Sequence, residues 1–262
     1  MKEKNKVILT GVLFICLILI GVGIYFFLSR SRDVEKTPVI ETEKKAPEPS
    51  LGEKERIKEE DVDVIEVKLD ESDPVIRKLV KDFSSYEEFD KWIESKNLIP
   101  KFTAAVDNIA HGISSRYQID FFAPEEDFEV ITKGEKIYIS PDSYNRYDIV
   151  ADVFSSLDAD KCVHLYKRAK PLIQEAYKEL GYPEKDFEKT LLKAIALLLE
   201  VPVLEKDIEL EKKVVSYKLK NEDLENLSDP QKHLLRMGPE NIKKIQSKLR
   251  EIGKLLQKSR FE

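Results

Sequence analysis

Residues 187–199 read FEKTLLKAIALLL, apolar on most faces of a helix and interrupted by Lys193. At 1.5 Å per residue this helix is about 20 Å long, short of the roughly 30 Å hydrocarbon core of a bilayer. It is therefore expected to be a core helix, and a core helix needs other elements to cover it. That reading sets the fold class as mainly α, a compact multi-helix domain.

Working outward, Gly181 and Pro183 end the preceding helix, which Asp158 can cap and which the apolar pattern carries through Leu180. Pro171 lies inside that pattern and predicts a kink or break. Ser140-Pro141 opens an earlier helix, extended to about Leu157. Between them and the N-terminal part, residues 128–140 (FEVITKGEKIYIS) place two β-prone runs around Lys133-Gly134-Glu135, a small β-hairpin that must pack on helices. Residues 207–219 look extended as well. Upstream, Ser72-Asp73-Pro74 starts one helix. Ser85 with Glu88 forms a capping box for a second, and about 99–110 forms a third that stops at His111-Gly112. Downstream, Ser228-Asp229-Pro230 and Pro239 each start a helix. In the last one Ile242, Ile245, Leu249, Ile252 and Leu256 recur at 3-4-3-4 spacing, an apolar seam of about two and a half heptads. The seam can form a coiled coil with a partner or pack on its own domain.

The chain has 262 residues, 36% of them charged, with a net charge of −6. After a short tail (residues 1–6), residues 7–28, VILTGVLFICLILIGVGIYFFL, hold no charge. This run is long enough for a single transmembrane helix. It exceeds a signal-peptide core and exits through Phe26-Phe27-Leu28 without a small-residue cleavage site. Lys2, Lys4 and Lys6 before it and Arg30, Arg32 and Lys36 after it nearly balance. The short tail favours a cytoplasmic N-terminus, with the C-terminal domain on the periplasmic side of a cell inner membrane. Residues 29–68 lack aromatics and are dense in Glu, Lys and Pro, a composition expected of a flexible charged tether. Residues 69–262 form the globular domain. Its charge is about −5, which argues against nucleic acid as a partner. Cys16 and Cys162 are too far apart in this plan to pair, so no disulfide framework is expected.

Catalytic and ligand signatures are missing from the sequence: no HExxH, CxxC, GxGxxG, P-loop or GxSxG string occurs. No metal or cofactor is implied. Three polar clusters stand out instead. Asp107-Asn108 interrupts an apolar helix; Tyr144, Arg146, Tyr147 and Asp148 fall within about one helical turn; Arg236 follows an apolar pair just before a helix break. A buried carboxylate demands a partner, and Arg captures carboxylates through its fork. Asp107 is therefore expected to pair with Arg146 or Arg236, as a structural network or as part of a ligand site. The last helix also carries a strip of lysines and arginines that is either a solvated face or a contact for lipid headgroups.

The strings LDESDPVIRKL (69–79), FTAAVDNIAHG (102–112), SYNRYDIV (143–150), LYKRAKPLIQEAYKELGYP (165–183) and LLRMGPENIKKIQSKLR (234–250) resemble the bacterial family called domain of unknown function 3014. The resemblance spans nearly all of 69–250 and supplies no catalytic residues. It implies an envelope protein with one N-terminal membrane helix. The leading expectation is a binding or scaffolding module of the cell envelope with an envelope protein as partner. The rival is a hydrolase acting on an envelope polymer with carboxylates near Arg146-Tyr147-Asp148.

Overall fold

The seam of the last helix is spent inside the domain. In the computed structural model, which describes residues 63–115, 117–118, 123–124, 126–214 and 216–258, the chain forms α1 (Ser72–Val80), α2 (Glu87–Ile93), α3 (Leu98–Ala110), β1 (Val130–Lys133) and β2 (Lys136–Ile139). There follow α4 (Pro141–Asn145), α5 (Asp148–Ser156), α6 (Ala159–Glu179), α7 (Phe187–Leu199), β3 (Glu209–Lys212), β4 (Tyr217–Leu219), α8 (Glu222–Glu225), α9 (Asp229–Leu235) and α10 (Pro239–Lys258). Helices α3 and α10 both pack on α6 and α7, and α10 also covers α5. Ile242, Ile245, Leu249 and Leu256 are buried there, each contributing about 1.5–3 kcal/mol. The coiled coil is accordingly not formed among the described residues: the seam is already covered. Residues 187–199 are helical as expected, with Phe187, Ala194 and Ile195 in the core.

The expected hairpin is larger than foreseen. Strands β1 to β4 make a four-stranded antiparallel meander in sequence order. Ile137 pairs with Leu210, and Leu210 with Leu219. Ile139, Leu210 and Leu219 are buried on it. A two-stranded ribbon is marginal alone, and residues 207–219 supply the second hairpin that stabilises it.

Four local expectations are corrected. Helix α6 runs through Pro171 without a break; the exposed proline faces solvent while Ala169, Leu172 and Ile173 are buried beside it. Core contacts on both sides outweigh one missing backbone bond. The helix expected over 141–157 splits at Arg146-Tyr147 into α4 and α5. The box at Ser85 is absent: α2 is capped by Tyr86 without a side-chain bond. Asp73 does not cap its own helix either. Its carboxylate accepts from the Asn97 (2.7 Å) and Leu98 (2.8 Å) amides at the start of α3, where four amides lack intrahelical partners.

Residues 63–68, expected as the end of the tether, already pack. Ile65 is buried and its amide donates to the Arg168 carbonyl (3.0 Å). The apolar run 7–28 lies outside the described residues, among which no helix is long and apolar enough to cross a membrane.

Candidate functional site

The break between α4 and α5 builds the first cluster. Ser140 accepts the Asp142 amide and Pro141 needs no partner at its position, so α4 starts cleanly. Arg146 then donates through Nε to the Ser143 carbonyl (3.1 Å) and through Nη1 to that of Glu126 (2.7 Å). Its guanidinium also lies over the rings of Phe128 and Tyr147, 5.7 Å and 5.3 Å from their centroids. These carbonyls, one of them at the frayed end of α4, satisfy the fork that was expected to hold Asp107.

Asn241, on α10, ties the cluster together. Its buried amide donates to the Tyr144 carbonyl (3.1 Å), the Asp148 carboxylate (2.8 Å) and the Met237 carbonyl (3.0 Å). Tyr144 lies against Gly238, and burial together with the Asp207 charge pushes its phenol up to about 12. Tyr147 meets His233 edge-on at 5.6 Å. Arg236 is half-buried near the end of α9, and its side chain forms no ion pair among the described residues.

Asp107 and Asn108 belong to a second place. The Asp107 carboxylate is buried among Tyr177, Tyr182 and His111, whose ring stacks on Tyr182 at 6.1 Å. His111 Nδ1 donates to the Asp107 carbonyl (2.8 Å) and lies 3.3 Å from its Oδ1, which is left without a hydrogen bond. The Asp107 charge raises the Tyr182 phenol, and burial raises that of Tyr177. An aromatic chain continues inward from Tyr182 to Tyr177 (4.8 Å) and Phe187 (5.3 Å), joining α3, α6 and α7. Asn108 donates to Gln118 (3.1 Å) and so holds Tyr117 beside the end of α3. Around this end Ile113, Tyr117 and Leu180 are 55%, 88% and 44% exposed.

Four of the seven residues singled out from sequence, Tyr144, Arg146, Tyr147 and Asp148, therefore meet at one joint with Asn241, while Asp107 and Asn108 sit elsewhere. Sequence reading missed Asn241, Tyr177 and Tyr182. Only the string MGPEN, which places an Asn two residues after a helix-starting Pro, hinted at the first. The basic strip of α10 is largely paired: Lys243 with Glu205 (2.6 Å) and Glu240 (2.8 Å), Lys244 with Asp152, and Lys248 with Glu251 (2.7 Å). Among the described residues no cluster of His, Cys, Asp and Glu could hold a metal ion.

Arg146→Ala is expected to cost about 1–3 kcal/mol, since it strands carbonyls and removes two ring contacts. Arg236→Ala should stay within about 0.5 kcal/mol, as befits a side chain with no ion pair among the described residues. Chemical unfolding of the two variants checks the pair; equal losses would refute the assignment. Alkali supplies another test. An unfolded tyrosine ionises near pH 10, whereas the native Tyr144 phenol holds its proton to about 12. The unfolded state loses its proton first, so this contribution is complete below pH 10 and drains away as pH rises toward 12. Phenolate absorbance should then rise together with loss of helix, and Tyr144→Phe should shallow the slope of stability against pH.

The architecture defines a mainly helical domain closed by a small antiparallel meander, with polar joints instead of a recognised catalytic signature. A family model described as a protein of unknown function, domain of unknown function 3014, matches residues 98–253. The chain belongs to that family. No curated protein and no solved structure matches it.

Proposed function

We propose that the chain is a single-pass membrane protein of the bacterial envelope. Its helical domain binds or scaffolds an envelope protein on the periplasmic side of the inner membrane. Residues 7–28 suit a membrane helix in length and composition, and residues 29 onward suit a tether that lets the domain search beside the bilayer. The observation that carries the binding role is the exposure of Ile113, Tyr117 and Leu180 around one end of the domain. Large apolar side chains grouped on a surface favour a protein partner. The rival reading, a hydrolase acting on an envelope polymer, needs Arg146 and Asp148 free in a cleft. Arg146 is instead engaged with carbonyls and Asp148 with Asn241.

A photoreactive amino acid at position 113 or 117 of the full chain in native membranes tests the role, with position 214, 96% exposed, as control. One adduct common to 113 and 117 and missing at 214 is expected. Equal labelling at all three, or none, would defeat the assignment. Protease added to spheroplasts should digest the domain; protection would reverse the topology.

A further inference from the structure

The two edges of the meander are finished differently. The order β1-β2-β3-β4 leaves β1 and β4 outermost. Edge β4 is sealed by its own chain, since the Leu219 amide donates to Glu225 Oε2 (2.9 Å). Edge β1 is open. Ser140 donates to the Glu129 carbonyl (3.2 Å), which makes these two a hydrogen-bonded pair. Antiparallel alternation then turns the backbone groups of Ile131 and Lys133 toward β2 and those of Val130 and Thr132 outward. No hydrogen bond from the described residues meets the outward groups. Glu129, Ile131 and Lys133 share one face of the strand, and Val130 and Thr132 share the other. Glu129, Thr132 and Lys133 are exposed, and Val130 and Ile131 are half-buried.

We propose that β1 pairs with β1 of a second copy of this chain, antiparallel about a two-fold axis through Ile131, so that two meanders join into one sheet. An unpaired edge is a template for another strand, and its outward groups must meet outward groups. The side chains choose among the two-fold registers that satisfy this. Centred on Thr132, the pairing sets Glu129 against Glu135. Centred on Val130, it sets Ile131 against Glu129. Centred on Ile131, it sets Ile131 against itself, Val130 against Thr132, and Glu129 against Lys133 on both sides of the axis. Only this last register matches apolar with apolar and opposite charges across the strands. Lys133 holds Asp207 within its own copy. Its ammonium has three donors, so it can meet Glu129 of the second copy without releasing Asp207. A short strand pair is weak in dilute solution. The membrane anchor proposed above confines both copies to one plane and raises their effective concentration. The pairing rests on that reading for its strength alone, and it does not involve the surface around Ile113.

The test uses the full chain in vesicles with Cys16→Ser and Cys162→Ala, oxidised after Ile131→Cys or, as the reference, Glu135→Cys. Residues on the axis have Cα atoms about 4.5 Å apart, within disulfide reach, whereas position 135 stands about 25 Å from its counterpart. A disulfide dimer at 131 and none at 135 is expected. Lys133→Glu should slow the crosslink at 131 at least tenfold, and adding Glu129→Lys should restore it. Thr132→Pro removes an outward amide and no bond within the copy, so it should abolish the dimer while a parallel melt stays unchanged. Energy transfer between chains labelled at Val214→Cys, with Ile131 intact, gives a second readout that Thr132→Pro should also erase. Flotation reports the anchor by itself; a chain that does not float is oxidised at high concentration without lipid, where the same ranking is expected. Equal crosslinking at 131 and 135 overturns the pairing. So does a dimer indifferent to Thr132→Pro. A disulfide from 131 to a different protein would assign the edge to a foreign strand and likewise overturn it.

Discussion

Gly238→Ala is expected to destabilise the domain by about 3–5 kcal/mol, lowering its melting point by about 10 °C. Two costs add. Gly238 has φ +83°, a left-handed conformation that a side chain disfavours. A Cβ there would also stand 2.5 Å from Cγ of Tyr144, and that ring cannot swing away freely. Its own carbonyl is held by Asn241, and it sits beside the α4–α5 joint. Thermal unfolding followed by circular dichroism measures the loss. The double variant Tyr144→Leu, Gly238→Ala separates the terms: it should recover the collision part but not the backbone part, giving strong non-additivity. A shift below about 2 °C for Gly238→Ala would show that the joint is loose and that α10 does not depend on this close approach.

The second large effect lies about two turns further along α10. Gln246 is buried and donates its amide toward the carbonyls of Leu198 (3.1 Å), Leu199 (3.3 Å) and Val201 (2.8 Å). Gln231 donates to the Leu197 carbonyl (3.0 Å). The last four carbonyls of a helix have no intrahelical donors, and at the end of α7 these two glutamines supplement the Glu200 and Val201 amides as its cap. Gln246→Leu keeps the volume but strands the Leu199 and Val201 carbonyls, a loss of about 3 kcal/mol. Gln246→Glu should lose more at neutral pH, because a carboxylate would face those carbonyls at the negative end of the helix dipole. Its native pKa would be raised above the unfolded value, so stability would be regained as pH falls and lost as pH rises. Urea titrations at pH 4.5 and 7.5 check the sign. A Gln246→Glu deficit that grows in acid would refute the cap.

Much of the backbone plan was legible along the chain. The core helix at 187–199, the α3 stop at His111-Gly112, the Asp158 cap of α6 and the seam at Ile242 to Leu256 each express a local rule: apolar periodicity, a capping side chain, a glycine or proline stop. Those rules act within a few residues, so they can be read without the fold. They overreached where packing intervened, as at Pro171, where core contacts held the helix together, and at Arg146-Tyr147, where a side chain ended one helix and its neighbour began the next.

The polar clusters were legible only as residue types. That Asp107 needed company followed from burying a carboxylate, but its company is His111 and two tyrosines, not an arginine. Asn241 reaches Asp148 across 93 positions, and Gln246 reaches Leu198 across 48. Asp73 serves a helix that begins 25 positions later. The sequence by itself determined a helical domain, its turns and caps, and an apolar N-terminal run suited to a bilayer. The tertiary structure alone decided which donor meets which acceptor, and hence which polar residues are spent on holding the fold. Hydrogen-bond partners are chosen by distances in space, and those distances exist only after the helices have packed.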